Sequence, residues 1–208
     1  MNAYDIVANA IYVVLAGVAL WGAYHCVMVW RSVAQRRFRS EDEQNDFLNA
    51  VGEPLAQQQF DEVSAMCEGD PRAVSQLVTL AANNRQIGYS KIRQMLMDRF
   101  QRDVLADLEY RLSWVNTVIK SAPMVGLLGT VVGMMGAFDK LATATNVKPD
   151  QLAENISVAL ITTACGLSIA IPLIMATASI NVRISKMEDL VSAGMTRFLD
   201  EFKSAMGG

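Results

Sequence analysis

The chain has 208 residues, 52% hydrophobic and 19% charged, with a formal net charge of -3 at pH 7. With no basic excess, composition gives no reason to expect a nucleic-acid partner. Cys26, Cys67 and Cys165 are widely spaced. With no CxxC and no Cys/His cluster, neither a disulfide framework, a metal site nor a cofactor is expected.

The charges are segregated. Residues 6–30 hold no ionisable side chain other than His25, Cys26 and tyrosines. As a helix this stretch is about 37 Å long, against roughly 30 Å of hydrocarbon. It is the first expected span, preceded by a short N-terminus at residues 1–5. Asp5 stands where a secretory signal would carry basic residues, and the apolar run is too long for such a signal, so the span reads as a retained anchor. Arg31, Arg36, Arg37 and Arg39 crowd its exit and act as topology anchors, with anionic lipid within reach.

Residues 31–120 read as helical throughout, with breaks expected at Gly52-Glu53-Pro54 and at Glu68-Gly69-Asp70-Pro71. Leu96, Phe100, Val104, Leu108, Leu112, Val115 and Ile119 recur at three- and four-residue steps, with charged residues between them. No breaker precedes Pro123, so this amphipathic helix is expected to run directly into the second span at residues 121–138. A loop follows at 139–155, carrying Lys140 and Lys148 against Asp139, Asp150 and Glu154. The third span is expected at 156–182. An amphipathic C-terminal helix follows at 183–208, with Ile184, Met187, Val191, Met195, Phe198 and Phe202 on one side. The fold expected is an all-α integral membrane protein with three transmembrane helices, the second and third extended into the cytoplasm. Basic residues follow the first span and avoid the loop, so the positive-inside rule puts the N-terminus and residues 139–155 outside, and residues 31–120 and 183–208 in the cytoplasm.

The second span reads APMVGLLGTVVGMMGAF and the third VALITTACGLSIAIP. Gly126, Gly129, Gly133 and Gly136 share one helix face and include a GxxxG, which lets backbones approach closely. In the third span Ala159, Thr163, Gly166 and Ala170 form a second small-residue face. Thr162 flanks it, and Pro172 is expected to kink the helix. Thr130 and Thr163 each lie about 10–12 Å below the outer boundary. Two hydroxyls at matching depth suit the lining of one channel. A membrane threonine more often bonds its own helix's carbonyl, and a glycine stripe more often serves packing than a pore. The interiors of the spans hold no Asp, Glu, Lys or Arg. A membrane proton carrier nearly always uses such a group, so any titrating acid must come from another chain. His25 lies near the cytoplasmic end of the first span and reads as interfacial or lipid-facing. No GxSxG, HExxH or phosphate loop is present, so no enzyme activity is expected.

At these two motifs the chain resembles the MotA/TolQ/ExbB proton-channel family, in its three-span ExbB/TolQ branch. The resemblance is specific over residues 112–182 and architectural elsewhere. It implies a homopentameric ring in a bacterial inner membrane, its second and third spans lining a pore. That pore would enclose the single spans of an ExbD/TolR-like partner, which supplies a membrane aspartate. Proton-motive force would be relayed through a TonB- or TolA-like protein to outer-membrane transport or envelope maintenance. Thr130 matches the threonine of the family's GLLGTVxG motif and Thr163 that of its ATAxGL-like motif, both implied to face the partner's carboxylate. Many members carry Glu five residues before that second threonine, where this chain has Val158, so no role of that Glu transfers. A non-conducting scaffold for partner helices and a flagellar stator of the MotA kind are the competing readings. The lack of a fourth span and of a large cytoplasmic torque domain weighs against the latter.

Overall fold

In the computed structural model, residues 3–143 and 149–206 are described. They form α1 (Ala3–Arg36), α2 (Glu41–Ala56), α3 (Phe60–Met66), α4 (Ala73–Asn83), α5 (Tyr89–Arg99), α6 (Ala106–Thr143) and α7 (Pro149–Ala205). A π-helical segment, Phe100–Leu105, joins α5 to α6, and a single 3-10 turn, Arg85–Ile87, precedes α5. There is no strand among the described residues. Three helical stretches are long and apolar enough to cross a membrane, lying within Asn9–Arg36, Tyr89–Asp139 and Ile156–Ala205. The protein is therefore an all-α, multi-pass membrane protein. At 57 residues α7 is about 85 Å long, so it continues far beyond its apolar segment, as α6 does beyond its own. Helix also occupies both ends of the stretch expected as a loop, up to Thr143 and from Pro149. Residues 144–148, with Lys148, lie outside the described residues.

The chain divides into two compact units, residues 1–28 with 111–179 and residues 29–110 with 180–208. In the first, Val115, Val118 and Leu173 form a buried cluster, with Val18, Cys26, Ile119 and Ile169 packed against it. Gly22 of α1 makes this possible. A Cβ there would stand 2.7 Å from Val118 Cγ1 and 2.8 Å from Leu173 Cδ1, inside ordinary contact distance. Many large apolar side chains of this unit face outward, Leu20 and Met124 among them. In a membrane helix lipid replaces the core as their apolar surroundings.

The second unit is built around the C-terminal part of α7. Ser40 caps α2 by accepting the backbone N–H of Glu43 at 3.2 Å, and Glu41, Asp42 and Glu43 suit the positive end of the helix dipole. Leu48, Val51 and Leu55 of α2 are buried, as are Val191, Met195, Phe198 and Phe202 of α7. Gln44 Nε2 donates to the Leu190 carbonyl at 2.7 Å, and Gly194 leaves room for that amide. The expected break at Gly52–Pro54 does not interrupt the helix, since both residues lie inside α2, which ends at Ala56. Pro54 removes one hydrogen-bond donor near the helix end, and its carbonyl accepts Gln59 N at 2.9 Å. The second expected break is real: α3 ends at Met66, and Gly69 takes φ +78°.

Asp70 and Arg72 lock that turn. Arg72 donates from its backbone N–H at 3.0 Å and from Nε at 2.8 Å to Asp70, reaches Glu43 at 3.1 Å, and stacks 4.1 Å from the centre of the Phe38 ring. Burial pushes the Asp70 carboxyl up, but the Arg72 hydrogen bonds and charge outweigh it and hold the group below its ordinary value. Burial pushes the neighbouring Cys67 thiol up.

The π segment explains a pattern in the sequence. Ile92, Leu96, Phe100, Val104, Leu108 and Leu112 are all buried and all four residues apart. An α-helix repeats every 3.6 residues, so a sustained four-residue step rotates steadily off one face. A π turn closes one residue later than an α turn and returns the stripe to the same side.

Candidate functional site

The small-residue faces of α6 and α7 meet within the first unit, and the glycines set their separation. A Cβ on Gly126 would lie 2.7 Å from the Thr162 carbonyl and 3.0 Å from Thr163 Cα. One on Gly166 would lie 2.5 Å from the Ala122 carbonyl, and one on Gly133 2.7 Å from the Ala159 side chain. On Gly129 it would collide with the Thr162 side chain. Gly126 and Gly166 thus face backbone of the other helix, while Gly129 and Gly133 face its Thr162 and Ala159 side chains, approaches that only residues lacking side chains permit. Gly136 is buried at the far end of the same stripe.

The face of α7 in this seam is Ala159, Thr162, Gly166 and Ala170, of which Ala159, Thr162 and Ala170 are 2–3% exposed. The order expected from the sequence is thus reversed. Thr162 is inside the contact and Thr163 at its edge, half-buried. The Thr162 hydroxyl bridges the helices, its single proton shared between the Ala159 carbonyl of its own helix at 2.7 Å and the Gly126 carbonyl of α6 at 3.0 Å. Its wall is therefore a packing wall within this chain. Thr130 is half-buried, and its hydroxyl donates to the Leu127 carbonyl at 2.7 Å, one turn back. The Thr163 hydroxyl is shielded from solvent and has no hydrogen-bond partner. Pro172 is exposed, and α7 runs through it without a break. Val158 is 41% exposed, and its carbonyl accepts the Tyr12 hydroxyl at 3.4 Å.

Two further shielded polar groups in this unit have no partner. Thr177 is 7% exposed, and its hydroxyl is also unpaired. It stands fourteen residues from Thr163, close to four α-helical turns and so near the same face. That spacing was the available signal. His25 has both ring nitrogens shielded and unpaired, with Trp21, Tyr24 and Trp114 around the ring at centroid distances of 4.9, 5.4 and 6.3 Å. An aromatic pocket, not an open interface, holds it. In the second unit Arg36 pairs with Asp107 at 2.9 Å, while Arg31 and Arg39 are exposed and Arg37 half-buried. No group of three or more His, Cys, Asp or Glu able to hold a metal occurs among the described residues.

The α6–α7 seam is thus close-packed, lined by glycine, dotted with hydroxyls and free of charged side chains. Residues 70–193 match the sequence profile of the MotA/TolQ/ExbB proton channel family, and that range contains the whole seam. The chain belongs to this family. Similar relatives include the Tol-Pal system protein TolQ of Haemophilus influenzae, 36% identical over 102 residues, covering 49% of this chain and 43% of the relative. The putative biopolymer transport protein ExbB homolog of Methanothermobacter thermautotrophicus is 37% identical over 109 residues, covering 51% and 38%. The biopolymer transport protein ExbB of Xanthomonas campestris pv. campestris is 37% identical over 94 residues, covering 43% and 37%. The chain thus spans less than half the length of each of these relatives. Names and family together put it in the ExbB/TolQ branch of the MotA/TolQ/ExbB family, among multi-pass inner-membrane proteins rather than a known enzyme family.

Proposed function

We propose that this chain is the stator subunit of an energy-transducing complex driven by the proton-motive force. Copies of it form a ring, a pentamer by resemblance, around the single spans of an ExbD/TolR-like partner. A membrane aspartate of the partner takes up and releases the proton, and a TonB- or TolA-like protein passes the work to outer-membrane transport or envelope maintenance. The N-terminus faces the periplasm and the C-terminus the cytoplasm, with Arg31, Arg36, Arg37 and Arg39 fixing that orientation.

The observation that carries the reading is the unpaired hydroxyl of Thr163 in a span devoid of charge. Thr162 and Thr130 already bond to carbonyls of this chain. Thr163 alone of the three retains an unused donor and acceptor, and a buried unmade hydrogen bond costs about 1–3 kcal/mol. A partner carboxylate brought beside it recovers that cost in whichever protonation state it holds. Each proton crossing 100 mV releases about 2.3 kcal/mol, enough to bias the packing of helices against a smooth glycine-rich wall.

The test is voltage-driven proton flux in vesicles holding this chain and its single-span partner. Thr163→Ala and Thr130→Ala should cut flux at least tenfold, with Thr163→Ser retaining most of it, while the assembled complex keeps its size. Removing the partner's aspartate should abolish flux. Full flux in both alanine variants refutes the assignment. Assembly with no flux under any condition makes the chain a scaffold.

A further inference from the structure

In the unit formed by residues 29–110 and 180–208, α7 leaves a cleft of about 230 Å³ against α4, α5 and the π segment. Its walls are mostly apolar: Leu77, Leu96, Phe100, Val191, Met195 and Leu199 all belong to the buried core, and Gln101 and Ser192 add polar groups. Its rim is acidic. Glu188 and Asp189 stand on α7 at the opening, both exposed, and neither has an ion-pair partner among the described residues. No lysine or arginine lines the cleft, although basic side chains are common elsewhere in the unit. Met97, 40% exposed, flanks the opening with an adaptable apolar edge.

Size and charge together select the occupant. An apolar cavity of about 150 Å³ admits benzene, and drug-sized ligands take about 300–1,000 Å³. The cleft therefore suits one large side chain and is too small for a folded segment or an extended ligand. Dry pockets that take a single aromatic or aliphatic anchor, surrounded by polar groups, are where protein–protein affinity concentrates. Two unpaired carboxylates at the rim favour an anchor whose sequence neighbours are basic, and they steer its approach. We propose that this cleft is a docking site for a protein partner that presents one large apolar side chain flanked by lysine or arginine. The proposal does not depend on proton conduction, and its readout is binding alone.

The full chain in phosphatidylcholine nanodiscs is titrated into a fluorescein-labelled peptide, Lys-Lys-Trp-Lys-Lys, and binding is followed by fluorescence anisotropy. A second peptide carries serine in place of the tryptophan. Ser192 is exposed at the mouth, so Ser192→Trp fills the cleft with little demand on folding. The tryptophan peptide should bind at least tenfold more tightly than the serine peptide, and Ser192→Trp should weaken it at least tenfold. Glu188→Gln with Asp189→Asn should weaken binding and flatten its dependence on salt. An unchanged thermal unfolding temperature keeps each variant interpretable. Equal binding of the two peptides, indifference to Ser192→Trp, or binding no stronger than to empty nanodiscs overturns the proposal. So does native mass spectrometry in which Ser192→Trp expels a bound lipid or shifts the oligomeric state, since the occupant is then a lipid or a second copy.

Discussion

Gly166→Ala puts the packing argument under the most direct strain. The added methyl would stand 2.5 Å from the Ala122 carbonyl oxygen and 3.2 Å from Pro123 Cα, where ordinary contact begins at 3.4 Å. Both obstacles are backbone, so neither can rotate away, and the helices must part by about 0.9 Å. A gap of that size forfeits roughly a quarter to a half of each van der Waals contact along the seam. Overpacking of this kind costs about 1–3 kcal/mol. The 3.0 Å bond from Thr162 to the Gly126 carbonyl is stretched as well, and a membrane hydrogen bond adds about 0.6 kcal/mol. Alanine's better helix propensity returns up to about 1 kcal/mol, leaving a net loss of about 1–2 kcal/mol. Gly17→Ala makes the same chemical change where nothing lies within 4 Å and carries only the propensity gain. Reversible unfolding in mixed micelles, followed by tryptophan fluorescence, should therefore separate the two variants by about 2–3 kcal/mol. If Gly166→Ala unfolds within about 0.5 kcal/mol of Gly17→Ala, the close approach of α6 and α7 is not what holds this unit together.

The remaining predictions concern the two units separately. His25→Phe keeps a ring inside the Trp21, Tyr24 and Trp114 pocket and removes two unpaired nitrogens, so unfolding should show no loss and a gain of up to about 1 kcal/mol. Asp70→Asn should cost about 1–2 kcal/mol at pH 7. Asp70 titrates lower in the folded chain than its ordinary 3.8, so its contribution is present above that value and is lost as pH falls through the lowered one. The gap between wild type and variant should accordingly close in denaturant titrations below about pH 4. Gly194→Ala drives a methyl into the Gln44 amide and should destabilise by about 1–2 kcal/mol. Gln44→Ala in the same molecule should recover roughly 1 kcal/mol of that, which a double-mutant cycle measures directly.

The spans, the GxxxG stripe and the absence of interior charge were all legible in the primary sequence, because each depends on the solvent a segment can tolerate rather than on its neighbours. The motifs that identified the family lie in those same segments. Pro54 shows where local signals stop. A proline next to a glycine reads as a break, yet in the last turn of α2 it removes one donor and the helix carries it. The π segment was present in the run of four-residue steps from Ile92 to Leu112, but that run also fits the ordinary three-and-four alternation when read loosely. Which threonine faces α6 was a harder question. Counting from Ala159, Thr162 falls about 60° to one side and Thr163 about 40° to the other, so helical periodicity admits both. The line along which α6 crosses α7 chose Thr162, because its hydroxyl can reach the Gly126 carbonyl where a glycine leaves room. Sequence alone determined that two small-residue helices would meet in an uncharged membrane setting. Only the tertiary structure decided which hydroxyl is used up in that meeting and which is left over, since hydrogen-bond satisfaction depends on atoms from another helix.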